Sequence, residues 1–118
     1  MKLVYTALAK EIHFTKDYIM RHVIDLGHAP INPFNHSYWL LDTVERDKIR
    51  EVGNFYVTRC DELWVFNDSP IITSDGVIRE IKIAEKLKKT IKFFIIDKET
   101  QKITEMKDMI YQEEIDDE

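Results

Sequence analysis

Apolar residues in this chain alternate between short continuous runs and stripes at helical spacing. A continuous run suits a strand covered on both faces, and a stripe suits a helix with one side against a sheet. The first run, Leu3-Val4-Tyr5 within Lys2 to Ala7, predicts a central parallel strand. Thr15 is placed to cap a helix that carries Ile19, Val23 and Leu26, with Gly27 as its stop. His28 to Asn32 reads as a short second strand ended by Pro33, and the following stretch, Phe34 to Asp42, is irregular and aromatic through Phe34, Tyr38 and Trp39. A loop with that much apolar surface is expected to fold over something, here as a lid on the ligand edge of the sheet.

From Thr43 to Arg59, residues Ile49, Val52, Tyr56 and Cys60 share a helical face, with Gly53 where a helix would press closely on a sheet. Leu63 to Phe66 predicts a third strand, ending at Asn67-Asp68. A loop from Ser69 to Thr73 leads to Ser74, the expected cap of a helix over Asp75 to Lys88. Ile91 to Ile96 is a fourth strand, and a short strand near Lys102 to Glu105 and a last helix through Met109 and Tyr111 complete the reading. Alternating apolar strands and amphipathic helices predict the α/β class, as a flavodoxin-like doubly wound parallel sheet of four to five strands with helices on both faces. Residues 1–112 form one domain in this reading, and 113–118 an acidic tail.

The 118 residues carry 17 Lys+Arg against 22 Asp+Glu, a formal charge of -5, but five of the acids sit in Glu113 to Glu118. The rest of the chain is therefore balanced, with no cationic surplus to follow a phosphate backbone, and a nucleic-acid polymer is not an expected partner. Met1 to Ala9 is too short an apolar run for a signal peptide or a span, which sets the expectation of a cytoplasmic protein without a membrane partner. One cysteine, Cys60, excludes an internal disulfide, and four histidines without ligand spacing predict no metal site. Too few glycines follow the first strand for a dinucleotide or P-loop site, so no cofactor is expected.

Right-handed crossovers bring every strand-to-helix loop to one edge of such a sheet, and ligands bind where the winding reverses. That edge collects Thr6 to Lys10, Asn32 to Trp39, Asn67 to Gly76 and, after the fourth strand, Asp97. The substrate-binding candidates it offers are Thr6, Ala7, Asn32, His36, Trp39, Ser74, Asp75 and Gly76. Arg46, at the start of its helix, reads as half of a surface ion pair in preference to a phosphate clamp. On the helix from Asp75, the residues Val77, Ile78, Ile81, Ala84 and Leu87 define an apolar arc, and Glu80 falls inside it. A carboxylate there is costly unless paired. It is either a structural group tied to a buried donor or a catalytic group tuned by partial burial.

Leu3-Val4-Tyr5-Thr6-Ala7, Arg59-Cys60-Asp61-Glu62-Leu63-Trp64-Val65-Phe66 and Ser74-Asp75-Gly76-Val77-Ile78-Arg79-Glu80 together resemble the nucleoside 2-deoxyribosyltransferase-like family, which includes the deoxynucleoside-monophosphate N-glycosidases. The resemblance implies Glu80 as the nucleophile at the anomeric carbon, Tyr5 as the hydroxyl that orients it, and Asp68 or Asp75 as the acid or base-binding group. It implies a small nucleoside or nucleotide as partner and a homo-oligomer as the working form. Tyr5 also reads as a buried strand tyrosine of the core. The alternative to an enzyme is a non-catalytic nucleotide-binding or protein-interaction domain of the same fold.

Overall fold

The computed structural model describes residues 1–32 and 45–111. Strands β1 (Leu3–Ala7), β2 (Ala29–Ile31), β3 (Glu62–Asn67), β5 (Thr90–Ile96) and β6 (Ile103–Met106) form one sheet in the order β2-β1-β3-β5-β6. The first four run parallel, and β6 returns antiparallel to β5 as the edge. This is the expected α/β, flavodoxin-like arrangement, with the short strand at Lys102 to Glu105 found one residue further on. Pro30 lies in β2 without disrupting a ladder, because β2 is the other edge of the sheet.

Both faces are covered. Helix α1 (Lys16–Asp25) packs Ile19 and Val23 onto Val4, Trp64, Phe66 and Phe94, the last two stacked with ring centroids 4.7 Å apart. Helices α2 (Arg46–Arg59) and α3 (Asp75–Lys86) cover the opposite face, where Val57, Val77, Ile81 and Ala84 meet Tyr5, Ala7, Leu63 and Val65. Each large apolar side chain fully withdrawn from water here contributes about 1.5–3 kcal/mol. At the end of the sheet away from the strand-to-helix loops, Lys2 Nζ and Trp64 Nε1 both donate to the Glu62 carboxylate, at 2.6 and 2.8 Å. The Leu3 amide donates to Asp61 Oδ2 at 2.7 Å, so that β1 is pinned to the start of β3.

Several local expectations change. Lys10–Thr15 is a 3₁₀ segment ahead of α1, and Thr15 does not cap by its side chain: the hydroxyl donates backward to the Ile12 carbonyl at 2.6 Å. In α2 the buried apolar residue is Val57, while Val52 faces solvent, and Cys60 lies just past the helix, where its thiol donates to the Val57 carbonyl. Helix α3 ends at Lys86, since Lys88 turns into the left-handed region at φ 59, and Leu87 is left half-exposed. Gly27 does stop α1, with φ 90, a conformation open to glycine and strained for other residues.

The expected last helix through Met109 and Tyr111 is instead strand β7 (Ile110–Tyr111), which pairs in parallel with β4 (Ile71–Ile72) inside the loop after β3. The Ile110 amide donates to the Pro70 carbonyl at 3.1 Å. A two-residue strand has no periodicity to read, and Met109, which looks like part of a helical stripe, is buried in the core cluster that includes Ile72 and Val77. The aromatic lid over Phe34 to Trp39 and the acidic tail 113–118 lie outside the described residues.

Candidate active site

Strand β1 sends the chain one way along the sheet to β2, and the return to β3 on its other side makes the gap between the ends of β1 and β3 the switch point. A cleft of about 1060 Å³ opens there. Its sides are Leu8, Ala9 and Lys10 after β1 and Asn67, Asp68 and Ser69 after β3. One wall is the start of α3 with Ser74, Asp75 and Gly76, and the other is a face of α2 with Arg46, Ile49, Arg50, Gly53 and Asn54. Asn67 shapes the loop after β3 by donating its side-chain amide to the carbonyls of Ser69 and Ile71, both at 2.9 Å. Ser74 caps α3 as expected, its hydroxyl accepting from the Val77 amide at 3.3 Å.

Tyr5 and Glu80 meet on the floor. The Tyr5 hydroxyl donates to Glu80 Oε2 at 2.7 Å, across 75 residues of sequence. Tyr5 is fully buried, and burial, reinforced by the negative charge of Glu80, holds its hydroxyl well above the usual tyrosine pKa and thus protonated. Glu80 keeps part of its surface open to the cleft. Protein atoms nevertheless crowd out enough water around the carboxylate to raise its pKa from 4.5 to about 7, a rise opposed by the Tyr5 hydrogen bond and the nearby Arg79 charge. The second oxygen, Oε1, makes no hydrogen bond among the described residues. The floor thus carries a carboxylate with one oxygen fixed and one free, poised to change charge near neutral pH.

A methyl group placed on Gly53 would lie 3.7 Å from the Tyr5 hydroxyl oxygen, so this turn of α2 passes over the Tyr5 hydroxyl. That is an ordinary van der Waals distance, so the glycine expected at a close helix-to-sheet approach is not required for it.

Of the other candidates, Asp68, Ser74, Asp75 and Gly76 border the cleft, and Asp68 is ion-paired with Lys98 at 3.1 Å. Three do not border it. The Thr6 hydroxyl points along the sheet and donates to the Ile31 carbonyl at 2.9 Å, Ala7 is core, and Asn32 is buried beyond β2. His36 and Trp39 fall outside the described residues. Arg46, Arg50, Asn54 and Arg79 border the cleft although sequence reasoning did not select them. The signal for the α2 set is present, since 46, 50, 53 and 54 share a helical face, but an arginine at a helix start fits a surface ion pair as well as a cleft wall. Among the described residues no group of three or more His, Cys, Asp or Glu could hold a metal ion, and no helix is long and apolar enough to cross a membrane.

Sheet order, cleft position and the two-sided helical cover define a small doubly wound α/β domain with its pocket at the switch point. The chain belongs to the DUF7768 family, a domain of unknown function, whose profile matches residues 5–94, about three quarters of the length. The matched span contains Tyr5, Gly53 and Glu80. No curated protein matches the chain.

Proposed function

We propose that this protein cleaves or transfers at the N-glycosidic bond of a nucleoside or nucleotide, with Glu80 as nucleophile and Tyr5 as the residue that positions it. The observation that carries the reading is the 2.7 Å bond from the Tyr5 hydroxyl to one oxygen of a carboxylate on the cleft floor, which leaves the other oxygen free to attack. Glu80 Oε1 forms a bond to the anomeric carbon as the bond from that carbon to the base nitrogen breaks. The electron pair leaves with the base, which takes a proton from Asp75 or from water, and water or a second base then opens the glycosyl ester and regenerates the carboxylate. Splitting the reaction this way replaces one difficult displacement by two easier ones through oxocarbenium-like states. Asp68, engaged by Lys98, is better placed to hold the loop after β3 than to deliver the proton.

A 2-fluoro-2-deoxynucleoside panel tests the reading, because fluorine destabilises the oxocarbenium-like states and lets an ester accumulate. Mass spectrometry is expected to place the added sugar on the peptide that contains Glu80. An adduct on another carboxylate, or unimpaired base release by Glu80→Gln, would overturn the assignment. Failure of the whole panel to lose base or form an adduct would favour the non-catalytic binding domain.

A further inference from the structure

The outward face of α3 carries a second, shallower depression, of about 400 Å³, that the chemistry at Glu80 does not use. Ile78 and Ile83 flank it, Arg79, Lys82 and Lys86 border it, and Asp75 stands at its head. Positions 79, 82 and 86 follow helical spacing, so the three cations form a row along the helix, and their aliphatic stems extend the apolar floor between the two isoleucines. Among the described residues neither Arg79 nor Lys86 makes an ion pair, and Asp75, one turn from Arg79, is not paired with it. A row of cations on a helix is by itself only a solvated face. This one is distinguished by the segment of chain that starts beside it. Strand β7 holds Tyr111 against α3: its backbone pairs with Ile72 just ahead of the helix, and its hydroxyl lies 3.5 Å from Glu85 Oε1. Residues 112–118 follow directly and carry five carboxylates around Ile115, their one apolar side chain. Fully extended, a segment of that length reaches about 23 Å, whereas the 12 residues of α3 span about 18 Å, so it is long enough to lie over any part of the depression.

We infer that residues 112–118 dock in cis on the outward face of α3, with Ile115 between Ile78 and Ile83 and the flanking carboxylates on Arg79, Lys82 and Lys86. An apolar side chain with acids on both sides meets an apolar floor edged by bases. Exposed ion pairs are individually weak. The covalent tether compensates, because a short link holds the segment at an effective concentration in the millimolar range, where a contact too weak for a free peptide is still occupied. Lys10, Arg46 and Arg50 also offer positive charge, but they line the cleft, where the segment's acids would meet the Glu80 carboxylate. Arg79 borders the depression and the cleft alike, so the docked segment sits at the rim of the site without filling it.

Carbodiimide coupling in the full chain tests this, because it joins a carboxylate to an amine only where the two touch. In the monomeric fraction, mass spectrometry is expected to find residues 113–118 joined to Lys82 or Lys86 at least about tenfold more often than to Lys10 and Lys48, which are exposed as well. The preference should be lost in 1 M salt, which screens the pairs, and in Ile115→Ser, which removes the apolar anchor and leaves every carboxylate in place. Coupling spread evenly over the exposed lysines, or directed to Lys10 in the cleft, would overturn the docking on α3. Products confined to covalent dimers would overturn docking in cis in favour of a second copy of the chain. A preference for Lys82 and Lys86 that is unchanged in Ile115→Ser would reduce the contact to the nearness of Tyr111 and would overturn the seat as well.

Discussion

Replacing Glu80 by Gln should stabilise the protein at alkaline pH, an outcome opposite to the usual effect of altering a buried hydrogen-bonded residue. The carboxyl titrates at 4.5 in an ordinary setting and at about 7 in the folded protein, because burial disfavours its charge more than Tyr5 and Arg79 favour it. Between those two values the folded state holds a proton that the unfolded chain has released. Stability therefore falls as pH rises from about 4.5 to about 7, and the full loss, about 3 kcal/mol for that gap, persists above it. Glutamine stays neutral and escapes the loss. Its carbonyl still accepts from the Tyr5 hydroxyl, and the weaker bond to a neutral oxygen is already contained in the net rise to about 7. The expectation is a gain of about 3 kcal/mol at pH 8.5, seen as a melting temperature higher by roughly 10–15 °C for a domain of this size. The gain should fade as pH is lowered toward 4.5. Urea unfolding of both proteins followed by circular dichroism from pH 4.5 to 8.5 measures it directly. A Gln variant less stable than wild type at pH 8.5 would show that the charged form of Glu80 holds the fold together, and the reasoning from its burial would fail.

Two further expectations follow from the same site. On the proposed N-glycosidic reading, base release should rise with pH through about 7 as Glu80 ionises, and Tyr5→Phe, which keeps the ring but removes the donor, should shift the rise upward by about one pH unit and slow the reaction most at pH 6–7, since the lost bond favoured the charged form; a profile that stays in place in the variant would exclude Tyr5 from positioning Glu80. Ser74→Ala should cost about 1 kcal/mol through loss of the bond to the Val77 amide, and thermal unfolding with no change would mean that the α3 terminus is held by other groups.

How far the sequence discloses this arrangement depends on how strongly each segment is patterned. In α3 helical spacing selects the buried residues Val77, Ile78, Ile81 and Ala84 and, past the helix end, Leu87, which is half-exposed; Glu80 lies beside the buried set, on the side that faces the cleft. Apolar strands read equally well, because β1, β3 and β5 are covered on both faces and leave little room for polar residues. Helix α2 is less legible. Val52 and Phe55 are exposed although apolar, so hydrophobicity alone does not choose between the face with Val52 and the face with Gly53 and Val57. That ambiguity also concealed the arginine wall, which is defined only once the sheet-facing side of α2 is known. The β4–β7 pair was illegible for another reason: two residues from each of two distant segments pair through backbone groups, which no side-chain pattern announces. Thr6 shows the converse limit. Its position after a strand suggested a ligand contact, yet its hydroxyl ties β1 to β2 inside the fold.

The bond between Tyr5 and Glu80 spans 75 residues and links the first strand to the third helix. It can form only after β1 has paired with β3, which itself closes more than fifty residues of chain, and after α3 has docked on that sheet. Loop closures of this length carry their entropic cost before any contact offsets it, which places them among the slow events of folding. Partly folded chains, including any nascent chain that has not yet reached residue 80, therefore lack the oriented carboxylate altogether, so the Tyr5–Glu80 pair exists only in molecules that have completed the sheet.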